Sequence, residues 1–325
     1  MRAAHSPAPA AVTAERPRRS PRQGLWLDLE VAALEGLSLP ELRQAGVEFL
    51  VLGCSEDEVR WEAERLADFS RQVSRAGLET YLAPWGYGKV LAGDAAVPSL
   101  YLHTHPQTLQ VDSRGRRLGR ACPNDPHFLE WFANAMRTLA WLLEARGFVW
   151  DTPGFYHTRG AWGCHCAYCR RLYAAATGEP LPRLLTPEVL SFRRQSLSLF
   201  LLAAAAAVKS VDRRLLSVVV PPSPLAPEAG VSGADDWRVL AANSGAEVLG
   251  LVAEASRRGD GLQPSEAFRA CAQAVHAEGR SLWVTVEAEE VTSLVARDAR
   301  GLAQALGAEA LVWPPMLPLR RPPRP

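Results

Sequence analysis

Four cysteines carry the strongest chemical signal in this chain: Cys122, and then Cys164, Cys166 and Cys169 within Cys164-His165-Cys166-Ala167-Tyr168-Cys169. A C-x-C-x2-C spacing is too tight for a set of disulfides and has the clustering of a thiolate metal site. Four thiolates suit Zn²⁺ in tetrahedral geometry, and a site filled entirely by protein ligands is structural. Such a site would pin the loop holding Cys122 to the loop holding the other three. His165 lies inside the cluster and is an alternative for one ligand. An iron–sulfur cluster is a second metal reading, although the spacing matches neither common ferredoxin pattern. A metal-free loop is the third. Cys54 and Cys271 read as small buried apolar residues.

Carboxylates are the other chemistry-bearing groups. Asp28, Glu30, Asp151, Glu254 and Glu287 each fall at or just after the end of a short apolar run. In Val284-Thr285-Val286-Glu287 the valines share one strand face and Thr285 and Glu287 the other. Val149 and Asp151 share a face in the same way. Two carboxyl groups facing one another across a cleft suit glycosidic bond cleavage, one protonating the leaving oxygen and the other attacking the sugar or activating water. Each is also, read alone, an ordinary strand-end residue, and Glu289 and Glu290 read as the start of a helix. Flat aromatic faces suit sugar rings. Trp26, Trp85, Trp150, Trp283 and Trp313 fall in or just after the same runs, with Trp85 and Trp313 best placed for a site and Trp283 for the core.

The elements that must position these residues alternate between short apolar runs and longer helical patterns. Strands are expected at 24–29, 47–52, 80–84, 148–151, 215–220, 247–252, 282–287 and 310–313. The main helices are expected at 56–76, behind an N-cap at Ser55, and at 126–146, 187–211, 264–278 and 294–306. Two long loops, 85–124 and the one after Asp151, carry the cysteines. Eight strand–helix units fit a parallel sheet closed as a (β/α)8 TIM barrel. A doubly wound open sheet is the alternative, but Leu29-Glu30-Val31-Ala32 offers no Gly-rich phosphate turn.

Bulk properties narrow the class. The 325 residues suffice for one barrel, expected at 24–316. Net charge of +1 gives no electrostatic case for a nucleic-acid partner or a membrane surface. The Arg/Pro-rich stretch 1–23 lacks the apolar centre of a secretory signal and reads as a disordered tail, with an Arg-rich targeting peptide the lesser alternative. The Pro/Arg-rich stretch 317–325 reads as a second tail. The apolar run Leu199–Val208 is too short for a membrane span of about 20 residues. Clustered cysteines without a signal point to a reducing, cytoplasmic setting.

The order of motifs resembles a known family. Pro106 through Asp112, then Arg120-Ala121-Cys122-Pro123-Asn124-Asp125-Pro126, a helix, a strand ending Trp150-Asp151-Thr152 and the C-x-C-x2-C loop are together similar to the family 42 β-galactosidases of the glycoside hydrolases, and to shorter glycosidase-like barrels related to them. The match is best over residues 100–175; elsewhere only the barrel pattern agrees. The resemblance implies a barrel acting on a carbohydrate, with Cys122, Cys164, Cys166 and Cys169 as zinc ligands. It places Asp151 at an Asn that contacts the sugar, and Glu287 at the nucleophile by strand position only. Asn124, Asp28, Glu254, Trp85 and Trp313 are the further sugar-contacting candidates. Thr152 stands where the family has its acid/base Glu, and a threonine does not donate a proton at neutral pH as a carboxylic acid does. Asp151 or Glu254 would then supply the missing acid. The alternative is a catalytically inactive carbohydrate-binding or scaffold barrel. The further domains of full-length galactosidases are not expected in this chain.

Overall fold

The computed structural model describes residues 20–28, 38–91, 99–158, 161–227, 229–254, 262, 264–288 and 292–314. The expected tails, Glu30, Glu289 and Glu290 lie largely or wholly outside these residues. Eight parallel strands close into a barrel: β1 (Arg22–Asp28), β2 (Phe49–Ser55), β3 (Glu79–Trp85), β4 (Gly147–Asp151), β5 (Leu216–Val220), β6 (Val248–Glu254), β7 (Ser281–Glu287) and β8 (Ala310–Trp313). Closure is made by β1, which pairs with β2 on one side and β8 on the other. β1 begins at Arg22, two residues before the expected start, because the Arg22 N–H bonds Glu309 O on the way into β8.

Helices follow the strands. They are α1 (Leu39–Gln44), α2 (Glu56–Arg75), α3 (Leu100–Thr104), α4 (Pro126–Leu142), α5 (Ala167–Thr177), α6 (Pro187–Lys209), α7 (Ala229–Ser232), α8 (Trp237–Asn243), α9 (Glu266–Ala277) and α10 (Ser293–Ala305). Side-chain caps set their starts. Ser55 ends β2 and caps α2 in a capping box with Glu58. Asp125 caps α4 ahead of Pro126 at the first turn. α4 ends at Leu142, short of the expected Arg146. The chain turns extended at Leu143 so that the Arg146 N–H can reach Thr80 O beside β3. No helix among the described residues is long and apolar enough to cross a membrane.

Strand alternation splits the core in two. Inside the barrel lie Phe49, Val51, Tyr81, Ala83, Val149, Val218, Val220, Val248, Val252, Trp283, Ala310 and Val312. The intervening residues, among them Leu50, Leu82, Phe148, Trp150, Leu249, Val284 and Leu311, pack under the helices. Phe49, Tyr81 and Trp283 form the floor of the interior, with ring centroids 4.9–5.3 Å apart. Gly24 makes room for them, since a Cβ there would stand 2.3 Å from the Phe49 ring. Arg22 closes the bottom, its guanidinium over Phe49 and paired with Glu48 and Glu79. Phe49→Ala is expected to cost about 3–5 kcal/mol, read as a lower urea midpoint at unchanged slope.

Candidate functional site

The inward parity that begins at the floor ends at the mouth. On β7 the inward residues are Trp283, Thr285 and Glu287, and on β4 they are Gly147, Val149 and Asp151. On β6, Val248 and Val252 set the same parity and carry it to Glu254; on β3, Tyr81 and Ala83 carry it to Trp85. Asp28 ends β1 in register with Gly53 of β2. Three strand ends thus bring Asp151, Glu254 and Glu287 to one rim. Glu254 and Glu287 are register partners on adjacent strands, so their Cα atoms stand about 4.8 Å apart. Partial burial, and then the neighbouring charge of Glu254, raise the Glu287 carboxyl above its ordinary value.

Trp85 stands partly buried at this rim, and its Nε1–H is buried with no hydrogen-bond partner among the described residues. Trp26 lies on the inward parity of β1, partly buried against the interior cluster; three further tryptophans lie elsewhere. Trp313 falls on the outward parity of β8, is buried under the helices, and donates its Nε1–H to Gln23 Oε1 at 2.9 Å. Trp150 is buried on the same outer face with its Nε1–H on Ser217 Oγ. Trp283 belongs to the floor.

Thr152 follows Asp151 with φ +40°, a left-handed backbone that a β-branched residue rarely adopts. Its N–H holds Val220 O at 2.7 Å, tying the end of β4 to β5. Its Oγ1 donates to Asp151 Oδ1 at 2.9 Å. The backbone is thus over-determined by its partners, which is the condition under which such strain persists.

The cysteine loops are built around a hairpin absent from the sequence expectation, Leu109–Val111 paired with Arg117–Ala121. Asp112 closes its turn by accepting the N–H groups of Arg114 and Arg116. Cys122 follows the second strand directly, and its N–H bonds Thr108 O. Gln110, fully buried, donates to Ala121 O and accepts from the Tyr156 N–H, so one side chain joins the hairpin to the loop after β4. The His165 N–H on Val111 O adds a second link. Gly163 must be glycine, because a Cβ there would lie 2.1 Å from Gln110 Oε1.

These contacts gather the Sγ atoms of Cys122, Cys164, Cys166 and Cys169 within 4.8 Å of one another. The closest approaches are 3.4 Å (Cys122 to Cys169) and 3.6 Å (Cys166 to Cys122). A tetrahedral ion with bonds of about 2.3 Å sets its sulfurs about 3.8 Å apart, so the set fits a thiolate-bound metal; disulfide sulfurs would lie at about 2.05 Å. Backbone N–H groups of Cys166 and Cys169 point at Cys164 and Cys166 sulfur, and Cys166 caps α5. Hydrogen bonds from the neighbouring thiols pull Cys166 far below the usual thiol range, while burial pushes Cys122 well above it. His165 is not part of the gathered set: its ring packs on Trp162, and its buried Nε2 has no partner among the described residues. Asn124, expected at a sugar, is held elsewhere, donating to Cys169 Sγ at 3.3 Å and Ser196 Oγ at 2.9 Å. It braces the sulfur cluster against α6.

No family model and no curated protein matches the chain. Solved structures do match. The catalytic domain of a β-amylase from Paenibacillus polymyxa superposes with a TM-score of 0.65 at 11% identity, covering 90% of this chain and 92% of that one. A β-galactosidase from Bacillus circulans sp. alkalophilus superposes with 0.63 at 13% identity, covering 90% of this chain and 50% of that one. α-L-Fucosidase isoenzyme 2 from Paenibacillus thiaminolyticus gives 0.59 at 14% identity, covering 90% and 46%. This chain therefore spans about half the length of the galactosidase and fucosidase chains. At these identities the likeness is one of fold.

Two outcomes are expected of the sulfur cluster. Elemental analysis of the reduced protein should find about one bound metal ion per chain, as one four-thiolate site predicts. Gly163→Ala should lower the melting temperature and weaken metal retention together, because it separates the loop from Gln110.

Proposed function

We propose that this barrel acts on a carbohydrate as a glycoside-hydrolase-like protein, through Glu287 and its rim neighbours, with the sulfur cluster holding a structural zinc. The observation that carries the reading is the register of Glu254 beside Glu287, with Asp151 on the same rim. Carboxyl groups about 5–5.5 Å apart suit cleavage with retention, and the register sets Glu254 and Glu287 on adjacent strands. On this reading a neighbouring rim carboxyl supplies the acid that Thr152 does not. Glu287 is the attacking group by its strand position, with Glu254 or Asp151 donating the proton. Trp85, partly buried at this rim, would offer its ring to a sugar face, and Asp28 ends a strand of the same barrel. The superposed β-amylase, β-galactosidase and α-L-fucosidase support the substrate class, and the motif order of residues 100–175 supports a relation to the family 42 galactosidases. With zinc bound, the metal would cross-link the two long loops and leave the reacting atoms to the rim.

Thr152 favours a second reading, a barrel that binds sugar without cleaving it. Its hydroxyl occupies Asp151 Oδ1, which takes one oxygen of the nearest substitute acid.

An aryl glycoside with a good leaving group needs little acid help and separates the two readings. On the enzymatic reading, wild type turns it over and Glu287→Gln loses at least about 100-fold. Wild type that binds sugar without turnover selects the binder, and unchanged turnover in Glu287→Gln rejects the role of Glu287. The pH profile carries a further sign. The acid limb of kcat/KM should lie above the ordinary Glu value of about 4.3, since Glu287 is raised. With Asp151 as the donor and Glu254 ionised, Glu254→Gln removes the adjacent negative charge, eases ionisation of Glu287, and should move that limb to lower pH.

A further inference from the structure

Arg193 is a charged side chain sealed inside the protein. It is 1% exposed, and its Nε and both terminal nitrogens are buried without a hydrogen-bond partner among the described residues. It lies in the first half of α6, three residues before Ser196, which Asn124 ties to Cys169. Its guanidinium sits over the Phe155 ring at 4.9 Å and near the Trp162 ring at 5.9 Å, both in the loop after β4.

An unpaired buried cation is costly, and proteins rarely keep one without compensation. The described groups that act on Arg193 are Asp235, Cys164, Cys169 and Arg120. Asp235 is already gripped by Arg194 through Nε and a terminal nitrogen. Arg120 is a second cation, held on Gly154 O at 3.1 Å. Arg194 also answers to Asp236, and Arg193 keeps no hydrogen-bonded carboxylate of its own among the described residues. Burial pulls the Arg193 guanidinium down to about 9. A divalent ion held by four thiolates carries two negative charges. Cys164 and Cys169, which favour the charged form of Arg193, would carry part of that charge.

We infer that Arg193 is the electrostatic counterweight of the four-cysteine centre, a positioning residue whose buried charge is tolerated because the metal-bound thiolates balance it and which in turn tightens metal binding. The inference rests on the metal reading of the cysteine cluster and is independent of any catalytic activity. Partners outside the immediate ligands of a metal site commonly change its affinity by about 10–100-fold. The expected effect here is of that size, and it has an opposite sign in the metal-free protein, where the same cation has no compensation.

The test compares wild type, Arg193→Met and Arg193→Lys as reduced full-length chains. Zinc affinity is read by competition with a chromogenic chelator, and melting temperature is read with and without zinc. Arg193→Met should bind zinc about 10–100-fold more weakly. Its metal-free form should melt no lower than metal-free wild type. Arg193→Lys keeps the charge and should retain most of the affinity. Equal zinc affinity in wild type and Arg193→Met overturns the inference. So does an equal fall in melting temperature with and without zinc, which marks a packing role alone. Loss of affinity in Arg193→Lys as large as in Arg193→Met also overturns it. Wild type that takes up no zinc instead removes the metal centre itself, a failure read before any variant is made.

Discussion

Closing eight parallel strands on themselves obliges every second side chain to point inward, and the rest of this protein follows from that parity. A position one residue along changes sides entirely. Glu287 faces the mouth because Trp283 faces the floor, four residues below it on the same strand. Asp151 and Glu254 reach the rim by the same count from Val149 and Val252. Trp313 falls beside inward Val312 and so packs under the helices. The floor of Phe49, Tyr81 and Trp283 fills the narrow bottom, which leaves the polar residues of the strand ends to the top.

Two long loops disturb the regular barrel, and both are controlled by a few buried polar groups. Gln110 satisfies its carboxamide across the gap between hairpin and loop. Such a group is costly when half-satisfied and specifying when fully satisfied. The approach is close enough to require glycine at 163. The sulfur cluster lies at this junction, with Cys122 from one loop and Cys164, Cys166 and Cys169 from the other. A metal there would act as a cross-link between segments far apart in sequence, and its binding energy would be folding energy for both loops. The charge pattern around it extends to α6, which carries Arg193 and the Ser196 that receives the Asn124 amide.

Much of the fold was legible in the residues. The eight strands, the Ser55 cap, the cysteine set and the facing of Thr285 and Glu287 all follow from local pattern, because alternation and capping are decided within a few neighbours. The hairpin at Leu109–Ala121 was not legible: its first strand has three residues, too few to show a period. Asn124 was read with the sugar site because its segment matched as a string; only three dimensions show its amide on Cys169 and Ser196. The end of α4 was overrun because Leu143–Arg146 has helical composition, and a long-range bond from Arg146 to Thr80 decides otherwise.

By itself, then, the sequence determined which residues alternate, where helices begin, and that four sulfurs lie in two clusters of chain. Tertiary structure alone decided that those sulfurs meet, that Glu254 stands beside Glu287, and that Arg193 is buried without a hydrogen-bond partner among the described residues. The division has a physical reason. Period and cap are short-range properties of the backbone, whereas barrel register and the compensation of buried charge depend on which distant segments closure brings into contact.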